Sequence, residues 1–191
     1  SLTIQPGAHF NVASDNILKV TNDVSVASGG TLHIESDAIG TATFIPEGTV
    51  NGDADVERYM ATISGEPANG IWHLFSPAIS NLQTGTLMNQ YLKYWNEPID
   101  NWSYISSTNE ILSAGKGYAL MLLDDYGNTV NTTGTLNTGD IMVQNLDFTS
   151  GAGWEGYNLV GNPYTASMDW SVIQNNLPAG IDKAIYYWDV E

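Results

Sequence analysis

The first 44 residues repeat a short pattern of hydrophobic and polar positions. Apolar residues alternate with polar ones on both sides of a glycine, which predicts short strands with one face turned inward. The pattern recurs 22 positions later: Leu2, Ile4, Gly7, Phe10 and Val12 return as Val24, Val26, Gly29, Leu32 and Ile34. The same step carries Ile17 to Ile39 and Val20 to Ala42.

A fixed period of about 20 residues is typical of a solenoid, in which each coil stacks its inward row on the next. The sequence therefore predicts that residues 1–45 form the last two rungs of a parallel β-solenoid. A pair of ordinary hairpins is the alternative.

After Pro46 the pattern changes to short, aromatic-rich segments separated by Gly, Asn, Asp and Pro. Closely spaced strands with turn signals predict an antiparallel, sandwich-like or barrel-like domain over residues 46–191, so the chain as a whole is expected to be all-β. Helix is expected mainly at 169–177, where Asp169 can cap the first turn and Pro178 ends the pattern; residues 86–91 are a weaker candidate. The predicted strands are 56–63, 71–75, 92–95, 102–105, 117–123, 129–133, 140–143, 157–160 and 184–188.

A longer repeat lies inside this second region. Residues 72–77 (WHLFSP) lead to residues 92–97 (LKYWNE), and residues 157–163 (YNLVGNP) lead to residues 185–190 (IYYWDV). The first copy covers about 70–150. The second, 154–191, stops where it should continue, so we expect the chain to be a module of a longer protein.

Each copy opens with an aromatic residue and a leucine two positions apart: Trp72 and Leu74, then Tyr157 and Leu159. Residues two apart on a strand point to the same face. We expect each pair to fill a layer of the core.

Four motifs in this order carry a resemblance: residues 72–77, residues 115–118 (GKGY), residues 135–139 (TLNTG), and residues 157–163 followed by 169–170 (DW). Over residues 40–191 the chain resembles a region of large exported surface proteins of Gram-negative bacteria, which lies ahead of a type IX secretion sorting domain. The resemblance implies an extracellular or cell-surface protein. Its first partners would be neighbouring domains of the same parent protein.

The charge balance narrows the set of partners. Five Lys and Arg against 21 Asp and Glu give a formal net charge of -16, which repels nucleic acid and anionic membranes. No apolar run is long enough to span a bilayer, so we expect no membrane insertion. The chain has no Cys, which excludes disulfides and thiolate zinc sites. Glycans, cations and surface proteins remain as partners.

Aromatic residues crowd one polar stretch and form the candidate binding surface: Tyr91, Tyr94, Trp95 and Trp102. Aromatic rings pack against the C–H faces of sugars, and neighbouring amides and carboxylates bind sugar hydroxyls. We therefore predict glycan contact here. The alternative is that Tyr94 and Trp95 stabilise a hairpin by cross-strand packing.

Oxygen-bearing side chains alternate along one predicted strand edge: Asn51, Asp53, Asp55 and Glu57. Calcium prefers such ligands, so these residues are a candidate calcium site, the one cofactor that the sequence indicates. A solvated, charged strand edge is the alternative.

Enzyme signatures are poor. Residues 151–156 (GAGWEG) spell the dinucleotide fingerprint, but a predicted strand follows them where that motif needs a helix. The three histidines lack metal-ligand spacing, and no nucleophile elbow is present. The sequence thus predicts a non-catalytic module for adhesion or glycan contact. The alternatives are a structural spacer that caps a solenoid and links it to an anchoring domain, and an accessory domain of a polysaccharide-degrading enzyme.

Overall fold

The computed structural model describes residues 1–62, 70–87, 90–123 and 127–187. Regular structure within these residues is nearly all β, with one short α-helix, which confirms the predicted all-β class. Two 3₁₀ turns cover Thr84–Leu87 and Glu97–Ile99, and the helix α1 covers Trp170–Gln174. The strands are β1 (Leu2–Ile4), β2 (His9–Val12), β3 (Ile17–Val20), β4 (Val24–Val26), β5 (Thr31–Ile34), β6 (Thr43–Pro46), β7 (Val50–Asn51), β8 (Ala54–Tyr59), β9 (His73–Phe75), β10 (Tyr91–Asn96), β11 (Asn101–Tyr104), β12 (Tyr118–Met121) and β13 (Thr129–Gly134).

The N-terminal strands pair in parallel. One sheet has the order β1-β4-β7, β2 and β5 are neighbours in a second sheet, and β3 pairs with β6. Leu2 pairs with Val24 and Phe10 pairs with Leu32, so the predicted step of 22 residues is confirmed for these two pairs of strands. The inward side chains stack into a buried core that includes Val24 and Leu32.

The predicted step is wrong for the third strand of the repeat. Ile17 pairs with Thr43, which is 26 positions away, and not with Ile39. The additional residues form a small hairpin closed by a Ser36–Thr41 bridge, in which the Asp37 carboxylate accepts hydrogen bonds from two backbone amides. Ile17 and Ile39 consequently point to solvent, with 74% and 84% of their surface exposed.

Parallel pairing continues past residue 45, to Val56. β7 pairs with β4, and β8 pairs with β5. The turns before β2, β5 and β8 each contain a glycine with positive φ: Gly7, Gly29 and Gly52. A Cβ on Gly52 would lie 2.2 Å from the carbonyl oxygen of Val26, so only glycine fits this turn.

β8 is the strand that joins the two regions. One edge pairs in parallel with β5, and the other pairs antiparallel with β13, giving the sheet order β13-β8-β5-β2. A second four-stranded sheet, antiparallel, has the order β11-β10-β12-β9. Side chains of both sheets line a cavity of about 30 Å³, with room for no more than a few waters. Neither sheet closes into a barrel among the described residues.

Residues 135–187 contain little regular structure. The strands predicted at 140–143 and 157–160 do not form; Val160 makes only an isolated bridge with Lys116. The predicted strand 184–188 is also absent over 184–187, and Trp188 lies outside the described residues.

The predicted helix near residue 170 is confirmed in a shorter form. α1 is capped by Asp169, whose carboxylate accepts a hydrogen bond from the Ser171 amide at 2.8 Å. Of the weaker candidate at 86–91, the first two residues belong to the Thr84–Leu87 turn, residues 88–89 lie outside the described residues, and Tyr91 begins β10. In the described parts of the chain, no helix combines the length and apolar character needed to cross a membrane.

Candidate functional site

The hairpin of β10 and β11 carries most of the predicted aromatic site. Side chains alternate along β10, so Tyr91, Lys93 and Trp95 lie on one face of the sheet. Trp95 pairs directly with Trp102 of β11, and Lys93 pairs with Tyr104. The two strands therefore contribute side chains to one surface.

We call this surface the outer aromatic face; its members are Trp72, Tyr91, Lys93, Trp95, Trp102 and Tyr104. The Lys93 ammonium lies 3.5 Å from the ring centroid of Trp72 and 4.6 Å from that of Trp102. This is close enough for cation–π attraction to both rings. Partial burial lowers the pKa of Lys93. The Lys93 side chain thus lies between two indole rings at the centre of the face.

Tyr94 does not belong to this surface, contrary to the prediction. It points to the opposite face of β10 and packs against the hydrophobic core. The Lys116 ammonium lies 4.2 Å from its ring centroid. The alternation along β10 separates Tyr94 from Tyr91 and Trp95.

The rings of the outer aromatic face pack against each other at steep angles. Trp95 and Trp102 are edge to face, with planes at 78°, and Trp72 and Tyr104 are inclined by 60°. The indole nitrogen of Trp95 is buried without a hydrogen-bond partner in the described part of the chain. Tyr104, 64% exposed, and Tyr91 are the most accessible rings. The face is therefore a packed cluster with two accessible tyrosines at its margins.

Three members of the face were not predicted as site residues: Trp72, Lys93 and Tyr104. The prediction that Trp72 and Leu74 fill a core layer is wrong, since Leu74 is 38% exposed and opposes Ala119 on the outer side. Tyr157, the second-copy counterpart of Trp72, is also exposed. The alternation of side chains along a strand is sufficient to predict that Lys93 lies beside Tyr91 and Trp95.

The predicted calcium ligands do not converge. The Asp53 and Asp55 carboxylates accept hydrogen bonds from Thr135 and Thr133 of the neighbouring chain segment, at 3.0 and 2.6 Å. Glu57 accepts one from the Ser36 amide. The Asn51 amide donates to the Thr49 hydroxyl at 3.5 Å. Each side chain has its own partner along the strand edge.

Glu57 also lies close to a histidine. Its Oε1 is 3.1 Å from His33 Nε2, although the two atoms are not aligned as a hydrogen bond. Within the described ranges, no group of three or more His, Cys, Asp or Glu side chains is placed to hold a metal ion. The structure thus does not assemble the four residues into a ligand set.

Two carboxylates at the β10–β11 turn hold the glycine-rich segment 149–156; we call Glu97 and Asp100 the carboxylate latch. Glu97 is buried and accepts three hydrogen bonds of 2.8 Å, from the amide and hydroxyl of Thr149 and from the Gly156 amide. Asp100 accepts two more, from the amides of Gly153 and Trp154. The latch was not predicted, because its partners are more than 50 positions apart in sequence.

The latch has a chemical consequence for the GAGWEG motif. Hydrogen bonds from Gly156, and to a smaller extent those from Thr149, lower the pKa of Glu97. The Gly151 amide donates to Glu155, so the amides of residues 151, 153, 154 and 156 all bind internal carboxylates. These amides are therefore engaged and do not form a phosphate cradle.

Comparison with known proteins gives one match. No curated protein and no solved structure matches the chain. The family described as "Domain of unknown function (DUF8693)" matches residues 1–191. Because this match spans the whole of the sequence, the chain belongs to the DUF8693 family.

Proposed function

We propose that this chain is a non-catalytic structural module that caps the end of a parallel β-solenoid and links it to a neighbouring domain. The observation that carries the proposal is the double pairing of β8, parallel to β5 and antiparallel to β13. A solenoid needs a terminal cap because its last coil would otherwise expose unpaired backbone groups. β13 supplies such a cap along all six residues of β8.

The cap extends beyond the backbone ladder. Hydroxyls of Thr133 and Thr135 donate to Asp55 and Asp53, which fixes the carboxylates that border β8. At another edge of the stack, Thr165 is buried and covers β6. Its carbonyl accepts from the Phe44 amide at 3.2 Å, and its hydroxyl donates to the Phe44 carbonyl at 2.7 Å. Segments distant in sequence thus cover two edges of the stack that would otherwise be exposed.

The proposed setting is a larger extracellular or cell-surface protein. The resemblance to exported surface proteins supports this setting, and the net charge of -16 favours partners other than nucleic acid and anionic membranes. Neighbouring domains of the parent protein would be the principal partners.

The capping proposal is tested by Thr132→Pro, which places a residue without an N–H in the middle of β13. We expect the freed edge of β8 to self-associate, so that light scattering coupled to size-exclusion chromatography detects oligomers. Ser167→Pro, at an exposed position outside any strand or helix, is the matched control and should remain monomeric. A monomeric Thr132→Pro variant with unchanged thermal unfolding would overturn the proposal.

A second candidate function is glycan contact at the outer aromatic face. It is favoured by the exposure of Tyr91 and Tyr104 at the margins of a lysine-centred aromatic cluster. Tyr91→Ala and Tyr104→Ala should each abolish signals on a glycan array, whereas Tyr187→Ala, another exposed tyrosine, should not. Absence of glycan binding by the unsubstituted chain, or equal binding by all variants, would exclude this function.

A further inference from the structure

Arg58, the single arginine of the chain, lies on the inward face of β8. Side chains alternate along a strand, so Arg58 shares this face with the buried residues Ala54 and Val56. It is opposite Val130 of β13, which packs against the hydrophobic core. A cationic side chain thus occupies an inward position of the kind that apolar residues ordinarily fill.

The Arg58 guanidinium has no acidic partner in the described part of the chain. The ion pairs found there join Lys19 to Glu47 and His33 to Glu57. The guanidinium donates one hydrogen bond, of 2.9 Å, to the Glu57 carbonyl oxygen. Because a guanidinium has five N–H donors, most of them lack an acceptor among the described residues. Partial burial lowers the pKa of Arg58, but the group stays charged at neutral pH.

Arg58 lines the cavity of about 30 Å³ to which both four-stranded sheets contribute side chains. Among the described residues that line this cavity, none is acidic, and most are apolar, as Phe75 and Leu120 are. Ser76 is one of the few polar members of the wall. Its hydroxyl accepts a hydrogen bond from the Gly115 amide at 2.9 Å, which leaves its own proton free to donate.

The polar groups of the cavity select a negatively charged ligand. The Thr132 hydroxyl, also in the wall, already donates to the Val56 carbonyl at 3.3 Å. The free donors of the wall are therefore those of Arg58 and Ser76, and charge-assisted N–H and O–H donors bind anions. The small volume favours a monatomic ion over a tetrahedral one such as phosphate or sulfate.

We propose that this cavity, which we call the Arg58 cavity, binds one small inorganic anion, with chloride as its occupant. The Arg58 guanidinium supplies the positive charge, and the Ser76 hydroxyl supplies a further hydrogen bond. The ion compensates a partly buried charge and thereby stabilises the folded state. The net charge of -16 repels anions at long range, so binding depends on these local contacts. This inference does not depend on the capping function.

Thermal unfolding in sodium salts of equal ionic strength tests the proposal. We expect a higher melting temperature in chloride or bromide than in gluconate, an anion too large for the cavity, and the difference should grow with halide concentration. Arg58→Met removes the charge and should unfold at the same temperature in all three salts. Lys183→Met, which removes an exposed charge, is the control and should keep the halide effect.

Two outcomes of this experiment would overturn the proposal. The first is an unsubstituted chain whose melting temperature is the same in halide and in gluconate. The second is a halide effect of equal size in Arg58→Met, which would show that the ion acts elsewhere on the protein.

Chlorine NMR measures binding of the ion itself. The unsubstituted chain should broaden the chloride resonance, and bromide should reverse the broadening by competition. Ser76→Ala should weaken chloride binding about tenfold, because it removes a hydrogen bond to a charged group. Ser80→Ala, at an exposed position of the same segment, should bind chloride as the unsubstituted chain does. Equal affinity of Ser76→Ala and the unsubstituted chain would contradict the assigned contacts.

Crystals soaked in bromide decide the matter if Arg58→Met does not fold. An anomalous diffraction peak between Arg58 and Ser76 is the expected result. Bromide peaks at other positions only would overturn the proposal.

Discussion

Trp95 and Trp102 oppose each other directly across the β10–β11 ladder, with ring centroids 5.7 Å apart and planes at 78°. An edge-to-face pair of this kind stabilises a hairpin beyond the area it buries. The residues predicted to contact glycan thus also hold the hairpin together, which was the alternative interpretation of the same sequence.

A double-mutant cycle measures this contact. Trp95→Ala and Trp102→Ala should each lower the free energy of unfolding, and the cycle should give a coupling of about 1 kcal/mol. Urea unfolding of the two single variants and the double variant provides the values. As a control, the losses of unfolding free energy caused by Trp95→Ala and Tyr186→Ala should be additive, because the two residues lie on different copies of the repeat. Additivity of the Trp95 and Trp102 changes would contradict the packing account.

The stacked glycine turns allow a matched comparison of strain and steric clash. Gly7 and Gly52 both have positive φ, but a Cβ has open space at Gly7 and meets the Val26 carbonyl at Gly52. Gly7→Ala should cost about 1 kcal/mol from the backbone conformation alone. Gly52→Ala should cost at least about 2 kcal/mol more. Equal losses of stability in denaturant titrations would show that the turns are not stacked as described.

The core of the parallel stack makes a further prediction. Leu32 is fully buried between Phe10 and Ala54, its register partners on the two neighbouring strands. Leu32→Ala should lower the free energy of unfolding by about 2–5 kcal/mol. Ile17→Ala, at an exposed position, should change it by less than about 0.5 kcal/mol. A large loss of stability in Ile17→Ala would indicate that Ile17 is buried, and it would support the predicted 22-residue register for that strand.

The carboxylate latch predicts a pH dependence. Hydrogen bonds to ionised Glu97 hold its pKa below the ordinary value of 4.5, so the ionised form stabilises the folded state. This contribution is complete above pH 4.5 and is lost as the pH falls through the folded-state pKa.

Glu97→Gln should therefore lower the melting temperature most at neutral pH, and the difference from the parent should shrink below pH 4.5. Glu110→Gln, at an exposed position, is the control and should leave the melting temperature unchanged at each pH. A Glu97→Gln effect that is constant with pH would exclude the latch.

Local sequence patterns predicted the parallel strands because strands paired in register repeat the same inward residues at a fixed step. Leu2 with Val24 and Phe10 with Leu32 follow directly from the 22-residue step. The step is wrong at Ile17 because the hairpin around Asp37 adds residues between the two paired strands. Sequence spacing cannot distinguish a longer connection from a shifted register.

The site was only partly predictable for a similar reason. Alternation shows that Trp72 and Leu74 share a face, but it does not tell which face meets the core. It could have excluded Tyr94 from the surface of Tyr91 and Trp95. The pairing of Glu97 with Thr149 and Gly156 depends on the tertiary fold and leaves no local signal. Residues 157–160 have a strand-like pattern, but their pairing is limited to the single bridge between Val160 and Lys116, which is too short for a strand.

In the proposed architecture β13 caps the parallel stack and forms one cooperative unit with it. Native-state amide hydrogen exchange can compare β13, β8 and β5 in a single experiment. We expect the protected amides of all three strands to exchange with the same free energy, equal to that of global unfolding. Rapid exchange throughout β13 and along the β8 edge that faces it, with β5 still protected, would show that β13 does not cap the stack.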